Sequence, residues 1–228
     1  RDIDLSMIKT VFFDLDDTLY NTTRLARLAR HAAIHSMISK GLPLGLDKGY
    51  SRLMKIISET GSNASNHFDL LVEETLGRKD YKIVSAGIIG YHNTKFANIT
   101  PFDDTISTLI ELKKMGLSLN IISNGRAVKQ WEKILRLGLE AFFDNVIISE
   151  EVGAKKPERE IYVIAMEVAG SEPGESVFID NDKECILGAR DVGMHTVLMD
   201  RVEKNIEPSV YDHMIDSLSD LVPLLKKI

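Results

Sequence analysis

Cysteine is almost absent: Cys185 is the single one in the chain. No internal disulfide can form, and no set of thiolates can hold zinc. A reducing compartment is the expectation that follows. Basic charge is also in short supply. The 28 lysines and arginines fall below the 34 aspartates and glutamates, for a formal charge of −6. A sequence-independent nucleic-acid binder needs the opposite balance, so no nucleic acid is expected as a macromolecular partner. Small anionic substrates stay open, because a local cation outweighs a weak global field. No apolar run is long enough to span a bilayer, and no membrane partner is expected. The start, Arg1-Asp2-Ile3-Asp4-Leu5-Ser6, lacks the basic-then-apolar order of a signal peptide. The expectation is a cytoplasmic protein, with Met7 a candidate start and residues 1–6, upstream or vector-derived, set aside from the fold reading. Internal repeats and low-complexity segments are missing too. What remains is 228 residues of ordinary composition, 44% hydrophobic and 27% charged, enough for one large domain or a core with an insert.

One stretch organises the chain: Val11-Phe12-Phe13-Asp14-Leu15-Asp16-Asp17-Thr18-Leu19-Tyr20. Its apolar start is too short for a helix and reads as a buried strand of a parallel sheet. Three carboxylates then arrive within four positions. Unpaired charge is costly in a sheet core, so the strand must end near Asp14 with the acids at its carboxyl edge. In an extended segment Asp14 and Asp16 point to one side and Asp17 to the other. Paired carboxylates there suit a hard cation such as Mg²⁺. They also suit a division of labour in which one acid attacks and the other moves protons. A polar, helix-capping loop after a strand would carry the same letters.

After Tyr20 the period changes from strand to helix. Helical patterns run from Asn21 or Thr22 to about Ser39, then over Lys48–Glu59, Asn66–Leu76 and Tyr81–Phe96, with no strand signal between them. Strand and helix alternate again only after Pro101, so the block reads as an insert. Within it, Arg24, Arg27 and Arg30 share a broad helical face that reads as solvated, and His31 and His35 are four apart without an obvious third ligand. Tyr20 and Asn21 lie closer to the acidic strand end and are the better candidates for lining a substrate pocket.

Beyond Pro101, a helix over Asp103–Met115 precedes a buried run ending in Ser123-Asn124-Gly125, and a helix over Arg126–Leu137 follows at once. A strand, a glycine turn and a helix N-terminus make a ready anion site, although an ordinary βα turn has the same pattern. A third strand over Asp144–Ser149 leads into Lys155-Lys156-Pro157, where the proline restricts Lys156 to an extended conformation. A helix over Glu158–Ala169 and a fourth strand over Glu175–Asp180 follow. A helix reaches Val192, His195–Met199 looks like a fifth strand, and Ser217–Lys227 looks like a closing helix. Buried runs thus end in Asp14, Ser123 and Asp180, and open α/β sheets bind ligands outside the carboxyl ends of their strands.

Asp14-Leu15-Asp16-Asp17-Thr18 resembles the D-x-D-x-T signature of the haloacid dehalogenase-like (HAD) hydrolases, most of which are Mg²⁺-dependent phosphatases. Ser123 matches the strand-end hydroxyl of the second motif, Lys156 the lysine that precedes a proline, and Asp180 the metal-binding acid of the last. The helical block resembles the cap that one subgroup carries between its first and second motifs. The resemblance implies an α/β fold: a Rossmann-like parallel sheet core (residues 7–20 and 101–228) with an inserted all-helical cap (21–100). It implies Asp14 as nucleophile, Asp16 as general acid and base, and Lys156 and Ser123, with Asn124, as phosphoryl binders. Mg²⁺ would be held by Asp14, by Asp16 through its backbone carbonyl, and by Asp180. Many members carry a second acid four or five positions after the last motif's aspartate; here Glu184 and Cys185 stand there, and a second ligand is left open. The implied substrate is a small phosphorylated metabolite. Sugar and triose phosphates, phosphoglycolate and nucleotides all fit. A 2-haloacid dehalogenase is a rival on the same fold, but that subgroup lacks an acid two positions after its nucleophile. A non-catalytic Mg²⁺- or phosphate-binding regulatory domain is a second rival, and a receiver domain would place its third acid before the Ser/Thr.

Overall fold

The computed structural model describes residues 8–62, 64–202 and 206–226. The expectations for residues 1–7 and for the last residue of the closing helix, Lys227, fall outside them. The chain splits into two compact units, Arg1–Asn21 with Thr100–Ile228, and Thr22–Ile99.

In chain order, β1 (Thr10–Phe13) is followed by four helices of the second unit: α1 (Thr22–Ser39), α2 (Leu46–Thr60), α3 (His67–Leu76) and α4 (Tyr81–Asn98). The first unit resumes with α5 (Thr105–Lys114), β2 (Ser118–Ser123), α6 (Ala127–Arg136), β3 (Asn145–Ile148), α7 (Ser149–Val152) and α8 (Arg159–Ala169). It ends with β4 (Ser176–Asp180), α9 (Lys183–Asp191), β5 (His195–Met199), β6 (His213–Ile215) and α10 (Leu221–Lys226).

The six strands form one sheet in the order β3-β2-β1-β4-β5-β6, each neighbouring pair parallel. Every residue of β1 and β4 is buried, which is why these runs are apolar on both faces rather than alternating. Two expectations about local structure are corrected. Ser149–Val152, read as strand end and loop, is a short helix. A sixth strand, His213–Ile215, was not expected; it buries only Ile215, and three residues are too few to carry a period.

The helical unit has its own core, made of Ile34, Met37, Leu53, Ile56, Leu71 and Val84 among others. Two mid-helix glycines are explained by close approach. A Cβ on Gly49 would sit 2.7 Å from Ile34 Cγ2, and one on Gly87 would sit 2.8 Å from Met37 Sδ. His31 stacks on Tyr50 at 4.0 Å, and no cluster of three or more His, Cys, Asp and Glu side chains placed to hold a metal occurs among the described residues. In the first unit the chain leaves at Tyr20 and returns at Pro101. Those two residues pair in an antiparallel bridge, and Thr105 Oγ1 donates to the Leu19 carbonyl at 2.9 Å.

Candidate active site

The register of the sheet brings the chemistry together. Phe13 lies level with Ile121 of β2 and Ile179 of β4. Asp14 therefore emerges beside Asp180, one residue past Ile179, and near Ser123, two past Ile121. The Asp14 N–H donates to the Ile179 carbonyl at 2.8 Å, which ties the end of β1 to β4. The chain then turns sharply. Asp17 has φ of 61°, a left-handed conformation that aspartate tolerates better than most residues. Its N–H donates to the Tyr20 carbonyl at 3.0 Å.

Lys156 is the cation at the centre. Its Nζ lies 2.6 Å from Asp14 Oδ1 and 2.7 Å from Asp180 Oδ2, with the lysine only 5% exposed. Thr18 Oγ1 donates to the other Asp14 oxygen at 3.2 Å. Burial alone would lower the pKa of the Lys156 ammonium, but Asp14 and Asp180 outweigh it and hold the proton on. Two carboxylates share one ammonium, so the pocket keeps an excess of negative charge. Burial, and next the Asp180 charge, push the Asp14 carboxyl up to about 7 against the pull of Lys156. The neighbouring Lys155 is exposed; its backbone N–H donates to Glu158 Oε2 at 3.0 Å and its carbonyl accepts from the Glu158 N–H at 2.7 Å.

Asp16 faces a different set of partners. Lys133 Nζ lies 2.8 Å from both of its oxygens, Tyr20 donates its hydroxyl to Oδ1 at 2.6 Å, and Gln130 Nε2 donates to Oδ2 at 3.2 Å. Burial raises the Asp16 pKa, but Lys133, Tyr20 and Gln130 together bring it below the ordinary carboxylate value. Tyr20, which the sequence offered for a pocket wall, is thus a hydrogen-bond partner of Asp16. It is 1% exposed, because its ring packs inside while its hydroxyl reaches back to Asp16. Asn21, the other pocket candidate, is exposed at the end of the first segment of this unit.

Gln130 also donates to Ser123 Oγ at 2.5 Å, so one buried amide links the β2 hydroxyl to Asp16. Asn124, expected among phosphoryl binders, has its side chain committed elsewhere. Its Nδ2 donates to the Lys156 carbonyl and its Oδ1 accepts from the Lys156 N–H. Part of the expected anion site at the start of α6 is likewise occupied: Gly125 N–H donates to Ser149 Oγ at 2.9 Å and Ala127 N–H to Glu150 Oε2 at 2.7 Å. Asp182 accepts from the Glu184 and Cys185 N–H groups and caps α9. The Cys185 thiol is buried and its pKa raised, first by burial and then by Asp180.

Gln130 and Lys133 were not picked out from sequence. They sit at i and i+3 of an amphipathic helix, and nothing in that spacing distinguishes a site face from a solvated one.

Residues 11–199 match the model of the haloacid dehalogenase-like hydrolase family. The chain belongs to that family. It is 45% identical to the glyceraldehyde 3-phosphate phosphatase of Methanothermobacter thermautotrophicus over 230 residues, covering 96% of this chain and 100% of the relative. It is 44% identical to the enzyme of the same name from Methanocaldococcus jannaschii, covering 97% of this chain and 99% of that one. Among solved structures, the HAD-hydrolase YfnB of Bacillus subtilis, bound to magnesium, superposes with a TM-score of 0.72 at 21% identity, covering 97% of this chain and 99% of that one. With such relatives along its whole length, this HAD member is a phosphatase, a phosphoric monoester hydrolase.

Proposed function

We propose that the enzyme hydrolyses a small phosphorylated sugar of triose size, glyceraldehyde 3-phosphate first among the candidates, through a phosphoaspartyl intermediate on Asp14. The observation that carries the reading is the shared hold of Lys156 on Asp14 and Asp180 at the carboxyl edge of the central strands, in a chain 45% identical to a glyceraldehyde 3-phosphate phosphatase.

Asp14 attacks phosphorus, and the P–O bond to the sugar breaks as the aspartyl-phosphate forms. Asp16 enters the first step protonated, against the pull of Lys133, and gives that proton to the leaving oxygen; it then takes one from the water that cleaves the intermediate. Lys156 and Ser123 bind phosphoryl oxygens, and Lys156 also restrains Asp14. The residues present fit Mg²⁺. Asp14 and Asp180 are oxygen donors with one ammonium between them, and a hard cation would offset the negative charge left over. Asp16 would join that set through its backbone carbonyl, as the family resemblance implies, with its carboxylate turned to Lys133. When bound, the ion offsets the repulsion between a carboxylate nucleophile and an anionic substrate.

The test is phosphate release over a panel of triose phosphates, sugar phosphates, phosphoglycolate and nucleotides with Mg²⁺ present. Glyceraldehyde 3-phosphate should give the highest kcat/KM. A nucleotide or hexose phosphate ahead of every triose phosphate would overturn the substrate class.

A further inference from the structure

We infer that Lys133 is the positioning residue for Asp16: its ammonium grips both carboxylate oxygens and sets where that side chain stands relative to the phosphoryl pocket. The inference rests on the phosphatase reading above, with Asp16 as the proton carrier. Asp14 and Asp16 are two positions apart, yet they do not share a cation. Asp14 and Asp180 divide Lys156, while Asp16 has Lys133 to itself among the ion pairs of the described residues.

The geometry is that of an anchor. An ionised carboxylate accepts only, through about four lone-pair positions. Here Lys133 contacts both oxygens at 2.8 Å, Tyr20 adds a bond to one and Gln130 a bond to the other. Contacts spread over both oxygens fix the plane of the group as well as its position. The pair is not an exposed ion pair of negligible worth, because the Lys133 side chain is 16% exposed and that of Asp16 31%. Lys133 and Gln130 lie one helical turn apart on the same face of α6, whose first turn follows directly from Ser123-Asn124-Gly125. The approach is close: a Cβ on Gly125 would meet the Gln130 side chain at 3.2 Å. One helix therefore carries the anchor of Asp16 and the donor to Ser123, so the proton carrier and the phosphoryl binder move as one piece.

A general acid–base works only within hydrogen-bond reach of its proton. A misplacement on the order of 1 Å costs about 10²-fold in rate. The variant Lys133→Met keeps the length of the side chain and removes the ammonium. It should lower kcat for the best alkyl phosphate of the panel by about 10²-fold, with KM little changed. p-Nitrophenyl phosphate should still phosphorylate Asp14 at close to the wild-type rate, because that leaving group needs little proton delivery. Lys133→Arg can present two N–H groups to one carboxylate, and should recover most of the lost rate; it also serves if the Met variant fails to fold. The decisive arm is a double-variant comparison. In an Asp16→Asn background, Lys133→Met should cause no further loss. A full multiplicative loss in that background, or an unchanged kcat for the alkyl phosphate in the single variant, would overturn the inference while the phosphatase reading stands. A wild-type protein that hydrolyses no phosphate monoester would overturn both.

Discussion

Asn124 and Lys156 exchange two hydrogen bonds. The Lys156 N–H donates to Asn124 Oδ1 at 2.8 Å, and Asn124 Nδ2 donates to the Lys156 carbonyl at 2.9 Å. The side chain at the end of β2 thereby fixes the backbone from which the buried ammonium springs. Asn124 is itself exposed, so water can replace both bonds if it is lost. Asn124→Leu should therefore cost only about 1 kcal/mol in stability. Its kcat should fall by more than that, up to about 10²-fold, because the ammonium is no longer aimed. A denaturant midpoint and a kcat measured on the same sample check this. A loss of kcat in proportion to unfolded protein alone would show that the pair only stabilises the loop.

The metal prediction turns on Asp180. Mg²⁺ should raise the melting temperature of the wild type, since a ligand present at 100 times its Kd stabilises by about 2.7 kcal/mol. Asp180→Asn keeps an acceptor for the Asp182 N–H, now made at 2.8 Å, and loses the charge. Its Mg²⁺-induced shift should shrink or vanish, and far more Mg²⁺ should be needed for turnover. Chelation should stop the wild type. An unchanged shift in the variant would remove Asp180 from the ligand set.

A pH dependence follows from Asp104, far in sequence from the acids of the site. Burial raises its pKa, but bonds from Arg201, Ser217 and the Leu218 N–H outweigh that and leave it below the usual 3.8. A carboxylate with a depressed folded pKa adds stability above its unfolded pKa and loses it as pH falls through the folded value. The wild type should thus lose stability below about pH 4 more steeply than Asp104→Asn. At neutral pH the variant should be weaker by about 1–3 kcal/mol. Parallel curves of unfolding free energy against pH for the two proteins would refute the assignment.

What the sequence could reveal follows from which interactions are local. β5 is legible as His195–Met199 and α1 as a helix to Ser39 because burial imposes a period on neighbouring residues. Asp14, Ser123 and Asp180 are legible because each closes an apolar run. The bond from Tyr20 to Asp16 is not legible because it depends on a turn made by Asp17 at positive φ, which no period announces. Gln130 and Lys133 were missed for a related reason. Gln130 is 114 residues from Asp16 and Lys133 is 117, and only the pairing of β1 with β2 brings α6 to that carboxylate.

The sharpest prediction separates the proton carrier from the nucleophile. Asp14→Asn should abolish turnover, because an amide cannot attack phosphorus usefully. Asp16→Asn leaves the nucleophile, Lys156, Ser123 and Asp180 in place, so attack remains open to a substrate with a good leaving group. What is lost is proton transfer, worth about 10²–10⁴ in rate. Release of phosphate from Asp14 needs the same group as a base, so that step should slow as well. Phosphoenzyme should then build up, seen as a burst with p-nitrophenyl phosphate and as a phosphate-sized mass increase on the Asp14 peptide. Alkyl phosphates should suffer more in the first step than aryl ones, since their leaving oxygens depend more on the acid. A dehalogenase would instead release halide from a 2-haloacid without metal and would keep that activity in Asp16→Asn. Hydrolysis of an alkyl phosphate by Asp16→Asn at the wild-type rate would remove Asp16 from proton transfer, and the grip of Lys133 and Tyr20 on its carboxylate would then serve the turn alone.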